Sequence, residues 1–206
     1  MTSLTRRDPV ADHLLTPQNA ALILIDYQPV QVNSVMSMDR HELVDNVLRL
    51  ARTAQAYQLP IVLSTVNVTT GINLPMIEEL RALNLGVEPI DRTSINAWED
   101  ADFLSAVTAT GRTKLVVAAL WTEVCLVFPA LDALHDDYEV YAVTDAVGGT
   151  SVTAHEAGLA RIAQAGARMT SWVQVICELQ RDWIRTATVP AFKEILFGHI
   201  HETAGA

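Results

Sequence analysis

The chain has 206 residues, half of them apolar, with 24 acidic against 14 basic side chains and a net charge of -10. That length suits one domain able to bury about seven-tenths of its unfolded surface, and a surface with no basic stripe excludes nucleic acids and anionic membranes as partners. A mean hydropathy of +0.22 is high for a soluble protein of this size and points to apolar surface shared between subunits of a homo-oligomer.

In chain order, the opening segment MTSLTRRDPVADHLL lacks the apolar core of a signal peptide. The longest apolar run, residues 115–121, is too short to span a bilayer. Two cysteines, Cys125 and Cys177, make neither a disulfide framework nor a zinc pattern, which fits a reducing cytoplasm. From there, short β-branched runs alternate with helix-period segments. That is the pattern of a three-layer α/β/α sandwich around a six-stranded, mostly parallel, Rossmann-like sheet. Strands are predicted at residues 21–26, 61–66, 87–91, 114–120, 139–145 and 167–173.

Between the first two strands, Leu43, Val47, Leu50 and Ala54 recur at helical spacing with charges opposite. The helix predicted at 122–135 carries an apolar stripe of Val124, Val127, Phe128, Leu131 and Leu134. Thr153 and Glu156 offer a capping box to the helix that contains Leu159 and Ile162. From about residue 174 the chain reads as a helical arm, two helices separated at Pro190, of the kind that packs on a neighbouring subunit. No repeat or linker interrupts residues 1–206, so one domain is expected.

In an open parallel sheet, ligands sit beyond the carboxyl ends of the strands where strand order reverses. Three polar residues end apolar strands or follow them there: Asp26, Arg92 and Cys125. With strand order 3-2-1-4-5-6, Asp26 lies beside Cys125. A buried cysteine otherwise behaves as a small hydrophobe, but Cys125 falls off the stripe of its helix and in the first turn, where the dipole favours a thiolate. Cys177 shares a stripe with Val173, Ile176 and Ile184 and reads as core. Asp26 alone would serve as a turn cap, and Arg92 alone as a solvated cation. Beside a cysteine in a dry crevice, Asp26 instead suits proton transfer, with Arg92 stabilising both charges. Asn96 and Trp98 of the INAW segment, with Gln28, are candidates for a substrate pocket, although a structural loop explains INAW as well.

The first strand ending IDYQ, a basic residue before INAW, WTEVCLVFPALDAL and a later ELQRDW together resemble the isochorismatase-like cysteine hydrolases, in particular their YcaC-like branch. The likeness runs from about Ala20 to Trp183. It implies a catalytic triad of Asp26, Arg92 and Cys125, with arginine where the family usually has lysine. Because arginine does not shuttle protons at usable pH, its role would be electrostatic and geometric. The resemblance also implies a cis peptide between Leu120 and Trp121, an oxyanion hole from the Trp121 and Cys125 N–H groups, and Thr122 and Glu123 lining or bracing that turn. It further implies a large homo-oligomer, an octamer being one option.

The histidine and aspartate ligands of metal-using nicotinamidases have no counterpart in STVNVTTGINLP, and His13, His41, His135, His155, His199 and His201 show no ligand spacing. Neither a dinucleotide nor a phosphate-binding glycine loop is present, and Gly148-Gly149 reads as a turn. The expectation is a hydrolase without cofactor or metal, acting on a small-molecule amide or related C–N bond through a thioester. The alternatives are a non-catalytic or redox-responsive ligand-binding oligomer on the same fold and a flavodoxin-like nucleotide binder, the latter lacking its glycine loop.

Overall fold

The computed structural model describes residues 7–198; His199, His201 and the end of the C-terminal arm lie outside them. Six strands, β1 (Ala20–Ile25), β2 (Ile61–Val66), β3 (Ile90–Arg92), β4 (Lys114–Ala119), β5 (Glu139–Val143) and β6 (Arg168–Thr170), form one sheet in the order β3-β2-β1-β4-β5-β6. Every neighbouring pair is parallel. β1 and β4 are buried along their whole length. Such continuous apolar strands are stable only with both sheet faces covered.

The cover consists of α1 (Pro29–Asn33), α2 (Arg40–Ala56), α3 (Glu78–Ala82), α4 (Ala101–Ala109), α5 (Val127–His135), α6 (Val152–Ala165), α7 (Trp172–Gln180) and α8 (Val189–Phe197). On one face α2 packs against α3, α7 and α8; on the other, α5 packs against α6 and β5, and α4 against β2. α2 buries Leu43, Val47, Leu50 and Ala54 as its periodicity requires, and Asp39 caps it by accepting from the His41 and Glu42 N–H groups.

Several boundaries differ from the sequence expectation, each for a local reason. β3 begins at Ile90 rather than residue 87, because Pro89 has no N–H to give the ladder. β6 stops at Thr170, since Ser171 and Gln174 form a reciprocal capping box that starts α7. Ser151, not Thr153, caps α6, its hydroxyl accepting from the Ala154 N–H. The break in the C-terminal arm spans residues 181–188, and Pro190 lies inside the first turn of α8, where its missing N–H costs nothing. The arm folds back on its own chain: α8 packs on α2 and α7, burying Phe192 and Ile195.

Two helix faces also differ. α7 buries Val175, Ile176 and Leu179, which leaves Val173, Cys177 and Ile184 exposed, so Cys177 is not a core residue. α5 presents Val127, Pro129, Ala130 and Ala133 inward, while Phe128, Leu131 and Leu134 are only partly buried. The small alanines let the helix approach the sheet closely, and the bulkier side chains take the flanks. None of the described helices is long and apolar enough to cross a membrane.

Candidate active site

Asp26 is the first residue after β1. It adopts φ 62, a left-handed conformation that aspartate tolerates better than most residues. Its N–H donates to the Ser64 carbonyl at 3.0 Å, tying the turn to β2. Arg92 is the last residue of β3, two strands away. Its side chain reaches across the end of β2, a span of two interstrand steps of about 4.8 Å each, and places Nη2 2.7 Å from Asp26 Oδ2. Nη1 donates to the Ser94 carbonyl at 3.0 Å. Both side chains of the pair are fully buried, 0 % exposed. Two polar atoms there, Asp26 Oδ1 and Arg92 Nε, have no hydrogen-bond partner among the described residues.

Cys125 approaches Asp26 from the other side, after β4. It sits in a single π-helical turn, Thr122–Leu126, that precedes α5. The expected placement in the first turn of an α-helix, with a dipole-stabilised thiolate, is therefore corrected. Burial pushes the Cys125 thiol well above its ordinary range, and the neighbouring Asp26 charge pushes the same way, opposed by Arg92 and the Trp121 N–H. Burial likewise raises the Asp26 carboxyl, against the pull of Arg92 and of the Cys125 thiol. The resting sulfur is a thiol facing a carboxylate of raised basicity, an arrangement for proton transfer during attack.

The peptide bond between Leu120 and Trp121 is cis, and the Trp121 N–H favours the ionised form of Cys125. The Trp121 indole is held from α1, its Nε1 donating to Ser34 Oγ at 2.9 Å and more weakly to the Gln31 carbonyl at 3.3 Å. The Trp121 carbonyl accepts from the Val124 and Leu126 N–H groups. Backbone and ring are thus anchored separately.

The four residues expected to contact substrate have other partners. Gln28 is fully buried; its Nε2 donates to the Val66 and Leu74 carbonyls and its Oε1 accepts from the Val66 N–H. Asn96 caps the 3-10 turn Ala97–Glu99 through the Trp98 N–H and donates to Asp132. Trp98 donates from Nε1 to Asp136 at 2.8 Å and packs edge-on against Phe103 and Tyr138. INAW is thereby fastened to α5 and its C-terminal end. Thr122 is fully buried, with Oγ1 2.8 Å from His155 Nδ1. Lys114 lies at the amino end of β4, bonded to the His13 carbonyl, far from this crevice.

Several residues that build the site carry no sequence signal of their own. Ser94 supplies a carbonyl, and Gly148 and Gly149 do more than turn the chain. Gly148 accepts from the Thr122 N–H and pairs with Leu120, and a Cβ there would sit 2.5 Å from Val35 Cγ1. Gly158 of α6 presses on the π-helical turn: an added Cβ would meet Glu123 Cα at 3.1 Å and its N at 3.3 Å. Backbone atoms cannot swing aside, so Gly158→Ala is expected to lower stability by about 1–3 kcal/mol and to slow alkylation of Cys125. Urea unfolding and iodoacetamide labelling measure the two effects, and unchanged labelling would detach the turn's position from the thiol's reactivity.

Exposed apolar side chains recur on the segments that leave the carboxyl ends of the strands. Val30, Met36, Ile72, Leu74, Ile95 and Val152 are exposed on segments that follow β1, β2, β3 and β5, while Cys125 retains 7 % of its surface. Among the described residues no group of three or more His, Cys, Asp or Glu side chains is arranged to hold a metal ion.

The isochorismatase domain model matches residues 20–174. The probable hydrolase YcaC of Escherichia coli K12 is 39 % identical over 170 residues, covering 82 % of this chain and 81 % of the relative. YcaC from Pseudomonas aeruginosa, solved with hexane-2,5-diol and covalent acrylamide, superposes with a TM-score of 0.86 at 36 % identity, covering 98 % of this chain and 96 % of its own. The E. coli YcaC structure, described as an octameric hydrolase of unknown specificity, superposes with a TM-score of 0.79 at 33 % identity, covering 93 % and 98 %.

Proposed function

Because the chain belongs to the isochorismatase family of hydrolases, we propose that it is a cofactor-free cysteine hydrolase that cleaves a small-molecule amide or related C–N bond through a thioester. The observation that carries the reading is a nearly sealed thiol beside a carboxylate that is itself clamped by a buried arginine.

In the first half-reaction, Asp26 takes the Cys125 proton as sulfur bonds to the carbonyl carbon. Arg92 holds the carboxylate in line and offsets its charge. The Trp121 and Cys125 N–H groups receive the developing oxyanion. The protonated Asp26 then gives its proton to the nitrogen as the C–N bond breaks, releasing ammonia or an amine and leaving the thioester. In the second half-reaction water attacks the thioester carbon while Asp26 accepts its proton. The acid departs and the thiol regains its proton. Arg92 stays charged throughout, so no step needs the neutral amine that a lysine would supply.

Small primary amides are the simplest substrates for this chemistry, and we take that class as the starting point. A screen of small primary amides should find at least one that releases ammonia with this protein and not with Cys125→Ala; no release from any would count against amide cleavage. A redox-responsive binding protein on the same fold is the weaker reading, since a buried thiol pushed above its ordinary range is a poor target for oxidants. The exposed apolar side chains and the octameric relative support assembly into a homo-oligomer, with an octamer as the leading candidate. In that reading the chain forms one catalytic domain.

A further inference from the structure

The turn that carries Cys125 is gripped from α6 by a group outside the triad. Thr122, the first residue of the turn, is fully buried and its Oγ1 lies 2.8 Å from Nδ1 of the half-buried His155. Glu123, the next residue, uses Oε1 to accept from the Thr150 N–H and hydroxyl. Its other oxygen, Oε2, is buried without a hydrogen-bond partner among the described residues. That oxygen and His155 converge on Gly149: an added Cβ there would lie 2.6 Å from Oε2, 2.9 Å from His155 Cβ and 3.0 Å from its N. The charged groups facing the ring are Glu123 from the turn and Glu156 from its own helix.

We propose that His155 is a positioning residue for the nucleophile turn, whose neutral imidazole holds Thr122, and through it Cys125, in the orientation required for attack, and whose protonation loosens that hold. The inference rests on the reading of Cys125 as nucleophile. We assign the neutral ring the tautomer with its proton on Nε2, so that the Thr122 hydroxyl donates to Nδ1. Once Nδ1 is protonated it must donate instead, so the hydroxyl proton loses its acceptor inside a buried site. The imidazolium is then drawn to the orphaned Glu123 Oε2. Both changes act two or three residues from the sulfur. Burial pushes the imidazole below its ordinary range against the pull of Glu123 and Glu156, which keeps the neutral form dominant at pH 7.

The test is the rate of Cys125 labelling by iodoacetamide between pH 5 and 8, followed by mass spectrometry on the full chain carrying Cys177→Ala. His155→Ala and Thr122→Val should slow labelling at pH 7 about fivefold to tenfold, whereas His155→Asn and Thr122→Ser, which keep the hydrogen-bonding groups, should stay within about twofold. The parent protein should show an acid-side loss of reactivity beyond the slope set by thiol ionisation, and His155→Asn should lack it. If His155→Ala does not fold, the Thr122 pair decides. Labelling of His155→Ala and Thr122→Val at the parent rate, or equal slowing in all four variants, would overturn the proposal. A parent protein that labels with this pattern but hydrolyses no amide would leave the positioning role standing and remove only the amidase reading. A parent Cys125 that does not label at all would remove both.

Discussion

Cys125→Ala is expected to abolish both ammonia release and covalent capture of substrate, a loss of roughly 10⁴-fold or more, while Cys177→Ala leaves both at the parent level. The contrast follows from placement. Cys125 is buried beside Asp26, whereas Cys177 is exposed on α7, away from Asp26 and Arg92. Equal effects of the two substitutions would sink the assignment. The raised thiol also predicts a pH signature. Cys125 alkylation should climb through and beyond pH 9, and a plateau already reached at pH 7 would mean a resting thiolate and remove the need for proton transfer to Asp26. The same shift acts on stability. The unfolded chain releases this proton near the ordinary thiol value of about 8.5, and the folded chain holds it to higher pH. Folded molecules therefore bind more protons above that value, and the stability present below it is lost as pH rises.

Arg92→Met is expected to cost about 3 kcal/mol or more of stability, because it strands a buried carboxylate without its cation. It should also reduce turnover by about 10²-fold or more, in the range set by removing the control of a general base. Arg92→Lys should retain more of both. It keeps the charge and one donor for Asp26, and loses the second donor that now reaches the Ser94 carbonyl. Combining Arg92→Met with Asp26→Asn should restore part of the stability and none of the activity, since the stranded charge is gone but so is the base. Urea denaturation and the amide assay read the two effects independently. A Met variant as active as the parent would exclude Arg92 from the site.

The strands, and Asp26, Arg92 and Cys125 at or just beyond their carboxyl ends, were legible because both depend on local signals, whereas the order 3-2-1-4-5-6 was a supposition that the sheet satisfies. Apolar runs mark the strands of a doubly covered sheet, and a polar residue just beyond such a run lies at the carboxyl edge where crevices form. The partners of the four side chains expected to contact substrate were not legible. Gln28, Asn96, Trp98 and Thr122 have the right chemistry near the right strands, yet their polar atoms are satisfied by Val66, Leu74, Asp132, Asp136 and His155. These partners lie 33 to 46 positions away in the chain, beyond anything a motif expresses. The inward face of α5 was misjudged for a related reason. Hydrophobicity favoured Phe128 and Leu131, while the close approach of helix to sheet favoured Ala130 and Ala133. The π-helical turn has no residue signature and emerges only from how Trp121, Gly148 and Gly158 confine it.

β3 is three residues long and forms the outer edge of the sheet, and it alone carries Arg92. Edge elements of this size open locally at free energies well below that of global unfolding. Each such opening would withdraw the guanidinium from Asp26 while β1 and β4, at the sheet centre, stayed intact. Heat or mild denaturant should therefore silence the protein over a range in which its helices and central strands still register as folded, making catalytic competence the most fragile property of an otherwise robust scaffold.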